Sequence, residues 1–149
     1  MKQISDELKN SAPEGTVWFG GPVDRSKVSL RIFGDNLNPD EISELLKSKP
    51  SASWKKGDVI KGTTIARTGR WSLDSNLSDE MDLEEKVWDI LKRLSSDEKV
   101  WHSITTKHNV DLFCGVFLET DNRGFGLSVS LMRELSRLGI EIGFDIYGP

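Results

Sequence analysis

One cysteine, two histidines and one tyrosine stand among 149 residues. A single thiol, Cys114, forbids an intramolecular disulfide. With only two histidines beside it, a Cys/His zinc site cannot close. No metal and no cofactor is therefore expected. No apolar run reaches the length that a membrane-spanning helix needs, so no membrane partner is expected. The first residues, Met1 to Leu8, are polar and lack the apolar stretch of a secretory signal, which makes the cytoplasm the expected compartment. Basic charge is in short supply: 20 Lys and Arg face 24 Asp and Glu, a net −4. That balance argues against nucleic acid as a partner. No strand–loop–helix unit carries Gly-x-Gly-x-x-Gly, and Gly124-Phe-Gly126 reads as a turn rather than a phosphate loop.

What remains is a chain of ordinary domain size, long enough to build a core without staples. Residues 1–27 read as an irregular N-terminal extension containing a short strand candidate, Thr16-Val-Trp-Phe19. Residues 28–149 read as a single α+β domain. Val28–Phe33 alternates and predicts a strand. Asn38, Pro39 and Glu41 form a helix start, with Leu37 and Ile42 as a hydrophobic staple, and Pro50 ends the helix by Lys49. Residues 47–70 hold seven cations against one acid and read as a long loop, with a short strand near 64–67. A strand follows at Arg70–Ser75, then a helix at 79–94 whose Leu83, Val87, Ile90, Leu91 and Leu94 share one face. Ser95-Ser-Asp-Glu98 begins another helix. Val110–Leu118 is apolar on both sides and predicts a central strand. A helix over 129–138 ends at Gly139, and Ile140–Ile146 alternates as a last strand.

This order predicts a mainly antiparallel four-stranded sheet, extended by the N-terminal strand if that pairs, with helices packed on one face. A weak echo, Leu37, Ile42, Glu44 and Leu45 against Leu127, Met132, Glu134 and Leu135, points to two similar strand–helix–strand halves. Several blocks also resemble one bacterial family. They are Leu30-Arg-Ile-Phe-Gly-Asp-Asn-Leu-Asn-Pro-Asp-Glu-Ile-Ser-Glu-Leu-Leu46, Ser53-Trp-Lys-Lys-Gly-Asp58, Thr68-Gly-Arg-Trp-Ser-Leu73, and Gly124-Phe-Gly-Leu-Ser128 through Phe144-Asp-Ile-Tyr-Gly148. The family is catalogued as domain of unknown function 4279, and the resemblance spans about residues 28–148. It implies a small cytoplasmic bacterial α+β protein and supplies no activity, so no catalytic residue is carried over.

Three surfaces are candidates. In the basic loop, Trp54, Lys56, Asp58, Arg70 and Trp71 combine cations with rings, as an anionic ligand would need; the same pattern fits a loop anchored by its tryptophans with its lysines in water. Strand alternation defines a second surface. If Val28, Leu30, Ile32, Leu112, Cys114, Val116, Ile140, Ile142, Phe144 and Ile146 face the helices, the opposite face carries Arg31, Phe33, Asp111, Phe113, Phe117, Glu141, Asp145 and Tyr147. That face is expected to be aromatic and net acidic, either open or covered by residues 1–27. The third surface is the helix pair, where Asp79, Glu80, Asp82, Glu84, Glu85, Asp89, Asp97 and Glu98 outnumber Lys86, Lys92, Arg93 and Lys99. It would steer a basic partner. Cys114 reads as a small buried hydrophobe, and neither His102 nor His108 has an orienting carboxylate beside it. The leading expectation is a non-enzymatic protein-interaction module of the immunity or antitoxin type. The alternative is a binding or enzymatic module for an anionic small molecule through residues 47–71.

Overall fold

A computed structural model describes residues 25–119 and 124–149. Strand β1 (Arg25–Gly34) leads into α1 (Pro39–Leu46), β2 (Ala52–Trp54), β3 (Gly69–Asp74), α2 (Leu83–Leu91), α3 (Glu98–Thr105), β4 (Asn109–Phe117), α4 (Val129–Leu138) and β5 (Glu141–Tyr147). The strands form one mixed sheet in the order β2-β3-β1-β4-β5. The pairs β2–β3, β3–β1 and β1–β4 are antiparallel, while β4–β5 is parallel. The α+β class holds, but the expected four-stranded sheet gains a fifth strand. The expected halves do not repeat each other: α1 lies between the antiparallel β1 and β3, whereas α4 is the crossover between the parallel β4 and β5. The Thr16–Phe19 strand candidate lies outside the described residues.

Local chemistry sets the helix ends. The Asn38 side chain accepts from the Asp40 N–H at 3.1 Å with Pro39 behind it, and Ser128 does the same for Leu131. Gly139 closes α4 at φ 73, as its position after Leu138 predicted. The predicted start at Ser95–Glu98 resolves with Asp97 as cap, accepting from Lys99 N–H at 2.9 Å.

All four described helices contribute to a single core on one side of the sheet. Val28, Leu30, Ile32, Trp71, Leu73, Leu112 and Cys114 meet Ile42, Leu46, Val87, Ile90, Trp101, Ile104, Leu131 and Leu135 there. The expected inward set extends too far along β5. Phe144 and Ile146 are exposed, because β5 is an edge strand and the described helices cover only its beginning, at Ile140 and Ile142.

Strand β1 starts three residues before the expected Val28. The reason is Ser26, a polar residue at an inward position that interrupts the apolar alternation. Its burial is satisfied by Lys86, also buried, whose ammonium donates to the Ser26 carbonyl, to Ser26 Oγ at 2.8 Å and to the Asp79 carbonyl at 2.7 Å. Lys86 is thus a core pin between α2 and the start of β1, not one of the surface charges of the helix pair.

At the other end of β1, Gly34 faces Gly69 across the ladder. A Cβ on Gly69 would sit 2.8 Å from the Gly34 carbonyl oxygen, and one on Gly34 would sit 2.3 Å from His108 Nδ1. Only glycine fits both places.

The expected loop 47–70 is more ordered than its composition predicts. Residues 52–54 pair with β3 as β2, and Val59 bridges Ile65. Ile60 N–H donates to Thr64 O at 2.7 Å, Ala66 N–H to Asp58 O at 2.8 Å and Gly57 N–H to Ala66 O at 2.9 Å. These bonds make a small hairpin with Lys61 and Gly62 at positive φ in its turn. The short strand expected near 64–67 is one arm of it.

Candidate functional site

The side of the sheet opposite the core carries no described helix. Register places its residues in rows that run across the strands. One row is Trp54, Arg70, Phe33 and Asn109. The next is Ala52, Ser72, Arg31, Asp111 and Glu141, followed by Asp74, Ser29, Phe113 and Gly143. Lys27, Gly115 and Asp145 come after, and Arg25, Phe117 and Tyr147 end the series.

Arginines and rings alternate over this surface. The Arg31 guanidinium lies 4.4 Å from the Phe113 ring centre and 5.2 Å from that of Phe33. Arg70 lies 5.4 Å from Phe33 and 5.5 Å from Trp54. Trp54, Arg70, Phe33, Arg31 and Phe113 therefore form one continuous ladder of cation–π contacts. At the far corner Arg25 stands 5.1 Å from the Phe117 ring, which stacks on Tyr147 at 4.9 Å with 9° between planes. The Tyr147 hydroxyl donates to Asp145 Oδ2 at 2.5 Å, and this bond holds the phenol pKa above its ordinary value.

Arg31 is held by a two-pronged ion pair, Nε to Asp111 Oδ1 at 2.8 Å and Nη2 to Asp111 Oδ2 at 2.7 Å. That bond raises the Arg31 pKa. Asp74 accepts from the Ser29 hydroxyl. The face is not net acidic as expected. Among the described residues Arg25, Lys27, Arg31 and Arg70 match Asp74, Asp111, Glu141 and Asp145 in number. All four cations lie on β1 and β3, and three of the four acids on β4 and β5. The polar start of β1 hides Arg25 and Lys27, and Arg70, though it opens the expected strand 70–75, is grouped with the cations of the loop rather than with this face.

The expected loop site divides. Trp54 and Arg70 belong to the ladder, with Trp54 Nε1–H donating to Thr68 O at 3.2 Å. Trp71 points the other way. Its ring is fully buried in the core and its Nε1–H donates to Ser43 Oγ at 3.0 Å, so it is not available to a ligand. Alternation along β3 puts neighbouring residues on opposite faces, so Arg70 and Trp71 cannot share one site. Lys56 pairs at the surface with Asp35 at 3.4 Å. Asp58 closes the turn by accepting from Lys55 N–H at 2.8 Å, a structural role. Phe117, Asp145 and Tyr147 cluster as β4–β5 pairing requires. Phe113 sits apart from them, against Arg31.

The helix pair loses much of its free acid. Glu84 accepts from Ser128 N–H at 2.5 Å and Ser128 Oγ at 2.8 Å, Asp97 caps α3, and Asp89 is buried against Ser75, Asn76 and Arg93. These carboxylates hold the fold together, which weakens the case for a basic partner steered by this surface.

Cys114 faces the core, and burial pushes its thiol up to about 12, the reverse of an activated nucleophile. His108 Nδ1 is buried without a hydrogen-bond partner among the described residues, and burial lowers its pKa. No group of three or more His, Cys, Asp or Glu able to hold a metal occurs among the described residues. Dialysis against EDTA is accordingly expected to leave the melting temperature unchanged in a calorimetric scan; a clear drop would reveal a metal that the fold needs. No described helix is long and apolar enough to cross a membrane.

The family model described as "Domain of unknown function (DUF4279)" matches residues 24–149. The chain belongs to this family. The DUF4279 match begins one residue before β1 and takes in every strand and helix of the described fold, so the ladder lies wholly within the family's domain. No curated protein and no solved structure matches the chain significantly.

Cover of the helix-free face by the N-terminal extension, the alternative expectation, falls on residues 1–24, outside the described residues. Strand alternation sets this face apart from the core and puts Arg31 on it, but misses Arg25, Lys27 and Arg70 and the hairpin beside it. Both signals were present. Arg25, Lys27, Ser29 and Arg31 keep the two-residue period of the strand. Val59-Ile60 and Thr64-Ile65 flank Lys61-Gly62 as hairpin arms flank a turn.

Proposed function

We propose that this DUF4279 protein is a non-enzymatic interaction module whose working surface is the helix-free side of its sheet. The observation that carries the reading is the half-exposed ladder of arginines and rings. Aromatic residues and arginine concentrate binding energy at protein interfaces, and surrounding charges set on-rate and orientation. The equal numbers of cations and acids point to a protein partner with a mixed, charge-striped surface rather than a uniformly basic one. Sequestration of a toxic partner, as an immunity or antitoxin protein would do, is the most specific form of this reading. A toxin gene adjacent to this one would support it, and a metabolic operon would count against it.

The test is affinity capture from native lysate, followed by binding kinetics on the purified partner. Tyr147→Ala and Phe113→Ala are expected to speed dissociation about tenfold or more, with the association rate little changed. Charge reversal at Lys27 is expected to act on the association rate and its salt dependence instead. If both truncations bind the captured protein as the parent does, the sheet face is not the interface.

A further inference from the structure

Three half-buried arginines occur among the described residues: Arg31, Arg70 and Arg93. Arg31 holds Asp111 and Arg93 holds Asp89. Arg70 has no carboxylate partner among the described residues; its one hydrogen bond there runs from Nε to Ser72 Oγ at 3.4 Å. Burial and the neighbouring Arg31 charge push its pKa down, and the charges of Asp74 and Asp111, neither of them bonded to it, offset this only in part. A partly desolvated guanidinium without an anion is costly, and its planar fork matches a carboxylate.

Arg70 borders a hollow of about 240 Å³ between the sheet and the 57–66 hairpin. The walls are apolar: Phe33, Trp54, Ile60, Ile65 and Ala66. The second cation on it is Arg67, which is exposed and also without a carboxylate partner among the described residues. No described residue lining it is acidic. The hairpin's own backbone bonds hold this wall in place, and Ile65 is 56% exposed at its rim.

We propose that this hollow is a binding site for a carboxylate carried on a ring-sized apolar body, with Arg70 gripping the carboxylate and Trp54, Phe33 and Ile65 enclosing the apolar part. A phosphate fits less well. It needs several converging donors, and apart from the two guanidinium groups the described side chains lining the hollow offer only the Thr64 hydroxyl, since the Thr68 hydroxyl is held by Asp35 and the Trp54 indole N–H by the Thr68 carbonyl. Charge complementarity and an apolar lining together select an amphipathic monoanion. Such a group is supplied by a free aryl carboxylate or by a peptide C-terminus ending in an aromatic residue. The site shares Trp54, Arg70 and Phe33 with the proposed interface but needs none of Phe113, Phe117 and Tyr147, so the two readings can fail separately.

The experiment is titration of the 15N-labelled full chain, followed by NMR. The probes are phenylacetate, phenylacetamide, phenyl phosphate, and a short peptide ending in phenylalanine with a free or an amidated C-terminus. Phenylacetate is expected to shift the Trp54 indole N–H and the Ile65 amide saturably, while the amide is inert. Tighter binding of the free-ended peptide than of phenylacetate would assign a peptide C-terminus as the source, and the reverse a small molecule; both support the site. Arg70→Ala is expected to weaken binding at least tenfold. Arg70→Lys, which keeps the charge and loses the fork, should weaken it less, and serves if the alanine variant does not fold. Tyr147→Ala should leave these titrations unchanged, which separates failure here from failure of the interface. Equal binding of the amide, stronger binding of phenyl phosphate, or no saturable shift in the parent would overturn the proposal.

Discussion

Trp71→Ala is expected to destabilise the domain by about 3–5 kcal/mol, measured as a drop in the urea midpoint at unchanged slope. The indole is fully buried on β3, between β2 and β1, and it belongs to the same core as Ile42 and Leu46 of α1. Its removal leaves a large cavity in a close-packed interior and strips the Ser43 hydroxyl of its donor. Trp71→Phe keeps most of the ring and is expected to cost less than half as much. The same pair of variants decides what Trp71 is for. If Trp71→Ala folds with nearly parental stability, the ring is not a core element and its reading as a ligand residue returns.

Lys86 carries the second large effect. Lys86→Met keeps the apolar stem and removes the ammonium, so the Ser26 carbonyl and hydroxyl lose their shared donor, while the Asp79 carbonyl keeps the Ser26 N–H at 3.0 Å. Each unsatisfied buried polar group costs about 1–3 kcal/mol, and relief of the buried charge offsets part of that, so a net loss of about 2–3 kcal/mol is expected. The pH dependence has a definite sign. Burial holds the folded-state pKa of Lys86 below its ordinary 10.5. Between the two values the unfolded chain binds more protons than the folded one, so this group's contribution to stability grows as pH rises through that window. The Met variant lacks that rise. The gap between the two proteins in chemical denaturation should therefore widen from neutral pH toward pH 10.5. A gap that narrows instead would mean that the ammonium is favoured by folding.

Sequence alone determined the elements whose signals are local. The cap at Asn38, the stop at Gly139 and the apolar face of α2 depend on residues within one or two turns. They appear where the pattern placed them. Alternation also separated the core face from the opposite face along most of β1 and β4, because side-chain direction in a strand follows from a two-residue period and nothing else.

Tertiary structure decided what depends on pairing. The parallel placement of β5 beside β4, and with it the edge that leaves Phe144 and Ile146 exposed, is a choice of partner that no local period encodes. The same holds for Ser26, polar in sequence yet inward in the fold, because the group that satisfies it comes from α2, sixty residues away. It also holds for the candidate sites. Trp54, Arg70, Phe33, Arg31 and Phe113 lie scattered between positions 31 and 113, and only the register of four strands makes them neighbours. Trp71, next to Arg70 in the chain, was sent to the opposite side by the pleat of β3. Sequence adjacency therefore grouped residues that the sheet separates, and sequence distance separated residues that the sheet brings into contact.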